Sequence, residues 1–107
     1  MTTLVNMTPH AVTIFVSADE TVTLATSGEV ARVASATVAA GYAAGVPLAR
    51  VTYGEVVGLP GPVDGTLYVV SAMVRLALPG RADLASPGEL VRDKAGQPLG
   101  CRGLVVT

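Results

Sequence analysis

This 107-residue chain has no tryptophan, one phenylalanine and three tyrosines, so any core it builds must be largely aliphatic. Charge is equally sparse: 14% of residues are Asp, Glu, Lys or Arg, and the net charge is −1. Non-specific nucleic-acid binding needs a cluster of unopposed cations, which such a balance does not provide. A single cysteine, Cys101, excludes an internal disulfide framework and fits a reducing compartment. One histidine and one cysteine do not make a metal-ligand cluster, so no metal or cofactor is expected. The best candidate for a membrane span, Leu67 to Leu78, is too short to cross a bilayer and contains Arg75. The amino terminus shows neither a basic region nor a long apolar stretch, and the expected location is cytoplasmic, away from membranes. The spacings of a catalytic triad, a P-loop and a dinucleotide fingerprint are also missing, which favours a binding protein over an enzyme.

What is present is apolar surface in excess. Half of the residues are hydrophobic, more than a single domain of this length needs for its interior. A small monomer seldom leaves large apolar patches in water, so the expectation is a homo-oligomer. The cations are six arginines and one lysine, scattered as Arg32, Arg50, Arg75, Arg81, Arg92, Lys94 and Arg102. Isolated arginines suit bidentate contact with carboxylate or phosphate.

Alternation along residues 12–16 and 21–24, around the polar Ala18-Asp19-Glu20, predicts a hairpin. Residues 29–35 and 46–53 also have β character. The alanine-rich stretch 35–45 is open between a short helix and an ordered loop, since Gly41 interrupts its helical signal. Thr66 to Val70 is apolar on both faces, as a central strand would be, and runs into a helix capped by Ser71 and stopped by Pro79-Gly80. The stripe Met73, Val74, Ala77 and Leu78 is expected inside, with Arg75 pointing away. Residues 81–88 read as loop, and 90–92 with 99–106 as a final hairpin turning at Asp93 to Gly96. The whole is a single strand-rich α+β domain, residues 1–107: a twisted sheet or partial barrel of six to eight short strands with one short helix against it.

Three places could carry chemistry. At Asn6-Met7-Thr8-Pro9-His10, the polar side chains either cap a corner between strands or present Asn6, Thr8 and His10 to a pocket. Ser71 is either a plain helix cap or a ligand contact beside Arg81. Arg81, Asp83, Arg92 and Arg102 form local ion pairs or leave guanidiniums for an anion. Cys101 would be a nucleophile only if His10 approached it; otherwise it is a small hydrophobe.

Several segments together resemble a family of small proteins from phages, prophages and actinobacteria. They are Leu4-Val5-Asn6-Met7-Thr8-Pro9-His10-Ala11-Val12, Ser27 to Val33, Tyr53 to Pro60, Gly65-Thr66-Leu67-Tyr68-Val69-Val70-Ser71, Arg81-Ala82-Asp83-Leu84, Val91-Arg92-Asp93 and Gly100-Cys101-Arg102. The family carries no assigned activity. Its phage association, by analogy, implies a non-enzymatic small-molecule binder that sequesters a phosphorylated nucleotide signal of bacterial defence. Asn6, Thr8, His10 and Ser71 would hydrogen-bond such a ligand, with Arg81, Asp83 and Arg92 in the polar set. Arg32, Arg50, Tyr53 and Tyr68 are further contacts that the reading allows. The alternatives are a protein–protein interaction module, such as a host-enzyme inhibitor or virion accessory, and a small hydrolase or transferase using His10.

Overall fold

A computed structural model describes residues 2–107. The described residues form eight strands and one helix: β1 (Thr3–Asn6), β2 (Val12–Phe15), β3 (Thr21–Leu24), β4 (Arg32–Ala43), β5 (Val46–Val57), β6 (Thr66–Val69), α1 (Ala72–Ala77), β7 (Leu84–Arg92) and β8 (Pro98–Val106). Six strands make one mixed sheet in the order β1-β6-β7-β8-β2-β3, and β4 pairs only with β5. The domain is therefore mainly β, with one six-residue helix, rather than a balanced α+β fold. No helix among the described residues is long and apolar enough to cross a membrane.

The six-stranded sheet curls until its first and last strands approach each other. Asn6, at the end of β1, bridges to Thr26 just beyond β3, and the Ser27 N–H donates to the Asn6 carbonyl at 3.0 Å. β6 sits inside the sheet between β1 and β7, parallel to both. Consecutive strand residues face opposite sides, and here Tyr68, Val69 and Val70 are all buried, so both faces are covered. Tyr68 and Val70 join Met7, Ala31, Leu84 and the helical Val74 in the main core, flanked by Val33, Val56 and Leu78. Each fully buried Leu or Val contributes roughly 1.5–3 kcal/mol.

The helix begins where the cap predicts. The Val74 N–H donates to Ser71 Oγ at 3.2 Å, and the last turn ends at Leu78 before Pro79. Its buried face is narrower than expected, because Val74 is covered while Met73 stays 43% exposed. Arg75 does not point away. Its Nε donates to the buried Ser86 hydroxyl at 2.9 Å and Nη1 to Thr107 Oγ1 at 3.1 Å, tying α1 to β7. The Ser86 hydroxyl needs a partner once buried, and a long arginine stem reaches it while its head stays near solvent.

Two further expectations are corrected. Residues 84–88 are not loop but the start of β7, pairing with β8 from Ala85 opposite Val106 onward. The alanine-rich stretch is neither helix nor loop but most of β4. Alanine's helix preference is a weak prior, and pairing with β5 overrides it. Gly41, at φ 92°, marks a bulge where the β4–β5 register slips between Ala39 and Tyr42. Ala44 and Gly45 (φ 51° and 78°) form the two-residue left-handed turn that closes the hairpin.

That hairpin is an arm. Twelve residues at about 3.3 Å each reach some 40 Å. The radius of gyration is 16.4 Å, against about 13 Å for a compact chain of this length, and the longest dimension is 49 Å. Val33 and Val56, at the arm's root, pack against the core, and α1 lies alongside the root. Every residue from Gly41 to Glu55 is exposed.

Candidate functional site

The Asn6–His10 corner is a capped turn. Asn6, 2% exposed, uses its whole amide. Oδ1 accepts from the Thr8 N–H at 2.9 Å and lies 2.6 Å from the Thr8 hydroxyl, while Nδ2 donates to the carbonyls of His10 at 2.9 Å and Leu24 at 3.0 Å. The last of these bonds crosses to β3 and helps to close the sheet. Thr8 Oγ1 also lies 2.8 Å from the His10 carbonyl, and its single proton serves one of the two acceptors. His10 contributes that carbonyl, and its exposed imidazole makes no hydrogen bond among the described residues.

Ser71 lies at the same end of the sheet as this corner, because β1 and β6 run parallel with Asn6 beside Val69. The Met7 N–H donates to the Val69 carbonyl at 2.8 Å, just ahead of the exposed Ser71 cap. Arg81 and Asp83 lie toward the other end of β6, where the Tyr68 N–H donates to the Asp83 carbonyl at 2.8 Å. Arg92 is at the far end of β7, which starts beside Tyr68 at Leu84 and runs parallel to β6 past Val69. The seven residues read as one site thus fall into three places.

At the second place Arg81 and Asp83 close a bidentate pair, Nε to Oδ1 at 2.8 Å and Nη2 to Oδ2 at 2.7 Å. Nη2 also donates to the Pro60 carbonyl at 3.1 Å, fastening the 58–65 loop. Hydrogen bonding to Arg81 holds the Asp83 carboxyl below the ordinary 3.8, against an upward push from burial. The same bonds to Asp83 raise Arg81 above its usual value. A carboxyl depressed in the folded state stabilises the fold above the unfolded value, and that contribution disappears as pH falls through the folded one. Asp83→Asn is expected to cost about 1–2 kcal/mol at neutral pH for a partly exposed pair. It also flattens the stability slope below about pH 4, as urea melts at stepped pH will read.

At the third place Arg92 Nη1 donates to the Gly96 carbonyl at 2.7 Å, and Asp93 Oδ1 accepts from the Ala95 and Gln97 N–H groups, both at 2.9 Å. This is the turn chemistry of the predicted hairpin. Arg102 lies 4.0 Å from Glu89 in an exposed pair. Cys101 is buried, its thiol 3.4 Å from the Gly103 carbonyl and 3.6 Å from that of Thr13, with no bond to His10. No group of three or more His, Cys, Asp or Glu able to hold a metal occurs among the described residues.

An open cleft of about 350 Å³ lies between Thr2, the Pro62–Leu67 segment and Ala82-Asp83. Its lining includes the carboxylates Asp64 and Asp83, the second already neutralised by its bidentate pair with Arg81. A second hollow, about 200 Å³, is lined by backbone and small apolar groups near Cys101 and Pro87.

The arm is exposed without interruption from Gly41 to Glu55. Arg32, Arg50 and Tyr53 are on it, exposed and away from either cleft, while Tyr68 is buried with its hydroxyl 3.4 Å from the Gly61 carbonyl. Cross-strand partners share a face. One face carries Ser35, Thr37, Ala39 and Tyr42 opposite Tyr53, Val51, Ala49 and Pro47, without a charge. Tyr42 is 77% exposed and Val51 53%. The signal in the sequence was two segments of matched length around Ala44-Gly45 with only three charges, Arg32, Arg50 and Glu55, over residues 32–57. Comparison with protein families, with characterised proteins and with solved structures gives no match to this chain.

Proposed function

We propose that this protein is a non-enzymatic assembly subunit that associates with copies of itself through the β4–β5 arm. The observation that carries this reading is the arm's charge-free face, which continues the core outward from Val33 and Val56 to exposed Tyr53, Val51 and Tyr42. An extended hairpin with two open edges and aliphatic side chains in water gains by pairing or stacking. Elsewhere on the chain, most of the polar residues that could serve a ligand are engaged in turns, caps and loop fastenings. Of the alternatives to a small-molecule binder, a virion accessory fits an arm of this kind.

Light scattering on the eluting protein is expected to give a multimer. Val51→Asp, which alters an exposed position and leaves the core intact, is expected to give a folded monomer. A wild-type chain that stays monomeric at the highest attainable concentration would end this reading.

A second reading, sequestration of a small molecule, draws on the cleft beside Asp64 and Asp83. With Asp83 tied to Arg81, Asp64 is the carboxylate left to meet a ligand there, which favours a cationic or hydroxyl-rich molecule over the phosphorylated nucleotide that the phage analogy implies. Calorimetry against nucleotides and polyamines separates these classes.

A further inference from the structure

We infer that the second copy docks edge to edge, β5 against β5 in antiparallel register about a two-fold axis at Thr52; this rests on the assembly reading above. The free edges of β4 and β5 are the two candidates for this contact. β4 carries only Arg32, at its root, so pairing with itself brings no opposite charges together. β5 carries Arg50 and Glu55, one of each sign.

Their placement is self-complementary. Arg50 pairs across the arm with Val38, and Thr52 with Ala36, so both lie on the face opposite Val51 and Tyr53. The register shift between Val33 and Ser35 sets Gly54 and Glu55 together against the single Ala34. A Cβ built on Gly54 would lie 3.6 Å from Ala34 Cβ, consistent with the bulge occupying the Arg50 face. A two-fold axis perpendicular to the sheet keeps each face on its own side, so residues directly opposite must share a face. With Thr52 on the axis, Val51 meets Tyr53 of the second copy and Arg50 meets the Gly54–Glu55 bulge, twice over. Pro47 falls opposite Gly58 just beyond the strand, where no N–H is required. The ladder therefore ends where its donors end. The product is a four-stranded sheet, each arm tip beside the other arm's root, with one face still free of charge.

Thr52→Cys tests the geometry. Residues facing each other across such an axis have Cα atoms about 4.5–5.5 Å apart, within disulfide range. Mild oxidation should give a covalent dimer, whereas Ala39→Cys, on the other strand, should not; Cys101 is buried and stays silent. Arg50→Glu and Glu55→Arg should each weaken self-association roughly ten- to thirty-fold, and the double exchange should recover most of it. The register is wrong if Thr52→Cys fails to cross-link, or if the double exchange associates no better than either single variant. Should those fail while Val51→Asp still dissociates the protein, the assembly reading stands and this docking mode falls. A monomeric wild type removes both.

Discussion

Asn6→Ala is expected to cost about 3–5 kcal/mol, a large share of the roughly 5–15 kcal/mol that holds a small domain. The substitution removes one amide, leaves the Thr8 N–H and the Leu24 carbonyl without their side-chain partner, and leaves the His10 carbonyl only the Thr8 hydroxyl. It also removes the side-chain link from β1 to β3 across the seam of the sheet. A urea midpoint near that of the wild type would show that water replaces the amide and that the seam does not depend on it. Asn6→Asp separates donors from acceptors. It keeps the oxygen that serves Thr8 but sets a carboxylate against two carbonyls, raising its folded pKa. Its deficit should therefore narrow as pH falls toward about 4, where protonation restores a donor. The Asn6→Ala deficit should not narrow.

Gly58→Ala is expected to be comparably damaging, for a steric reason at the arm's root. Gly58 follows β5 at φ 84°, and a Cβ there would run into the Val30 carbonyl oxygen and lie 3.4 Å from its carbon. The left-handed backbone costs an alanine about 1–2 kcal/mol, and overpacking against backbone adds about 1–3. Val30 cannot retreat cheaply, because the next residue, buried Ala31, donates its N–H to the Met7 carbonyl at 3.0 Å. Gly61→Ala is the control, since nothing lies within 4 Å of the added carbon. Thermal melts should leave Gly61→Ala near the wild type and lower Gly58→Ala by many degrees. Equal melting temperatures would remove the close approach from the account.

Much of the strand framework could be read from the chain. Val12, Ile14 and Leu24 mark the β2–β3 hairpin, with Val12 paired to Leu24. Thr66 to Val70 read as a central strand because both its faces are apolar, and burial on both sides follows from that. The candidate site was less legible. Asn6, Thr8, Ser71, Arg81 and Asp83 stood out as polar residues near turns and strand ends, and each is committed to holding such a place. Residue type shows capacity for a hydrogen bond, not whether the fold or a ligand uses it. The arm was hidden for the opposite reason: its alanines and valines have no chemistry to flag, and their meaning lies in being uncovered.

Sequence by itself determined the features set by a few neighbouring residues. These are the Ser71 cap and Pro79 stop of the helix, the Asp93–Gln97 turn, the alternation of β2 and β3, and the low charge that leaves apolar surface to spare. Tertiary structure alone decided that residues 35–45 extend against β5, that Arg75 turns in to Ser86, and that Asn6 joins β1 to the end of β3. Those outcomes depend on which distant segment lies alongside. A weak local preference yields there to the ladder of hydrogen bonds and buried contacts that pairing supplies.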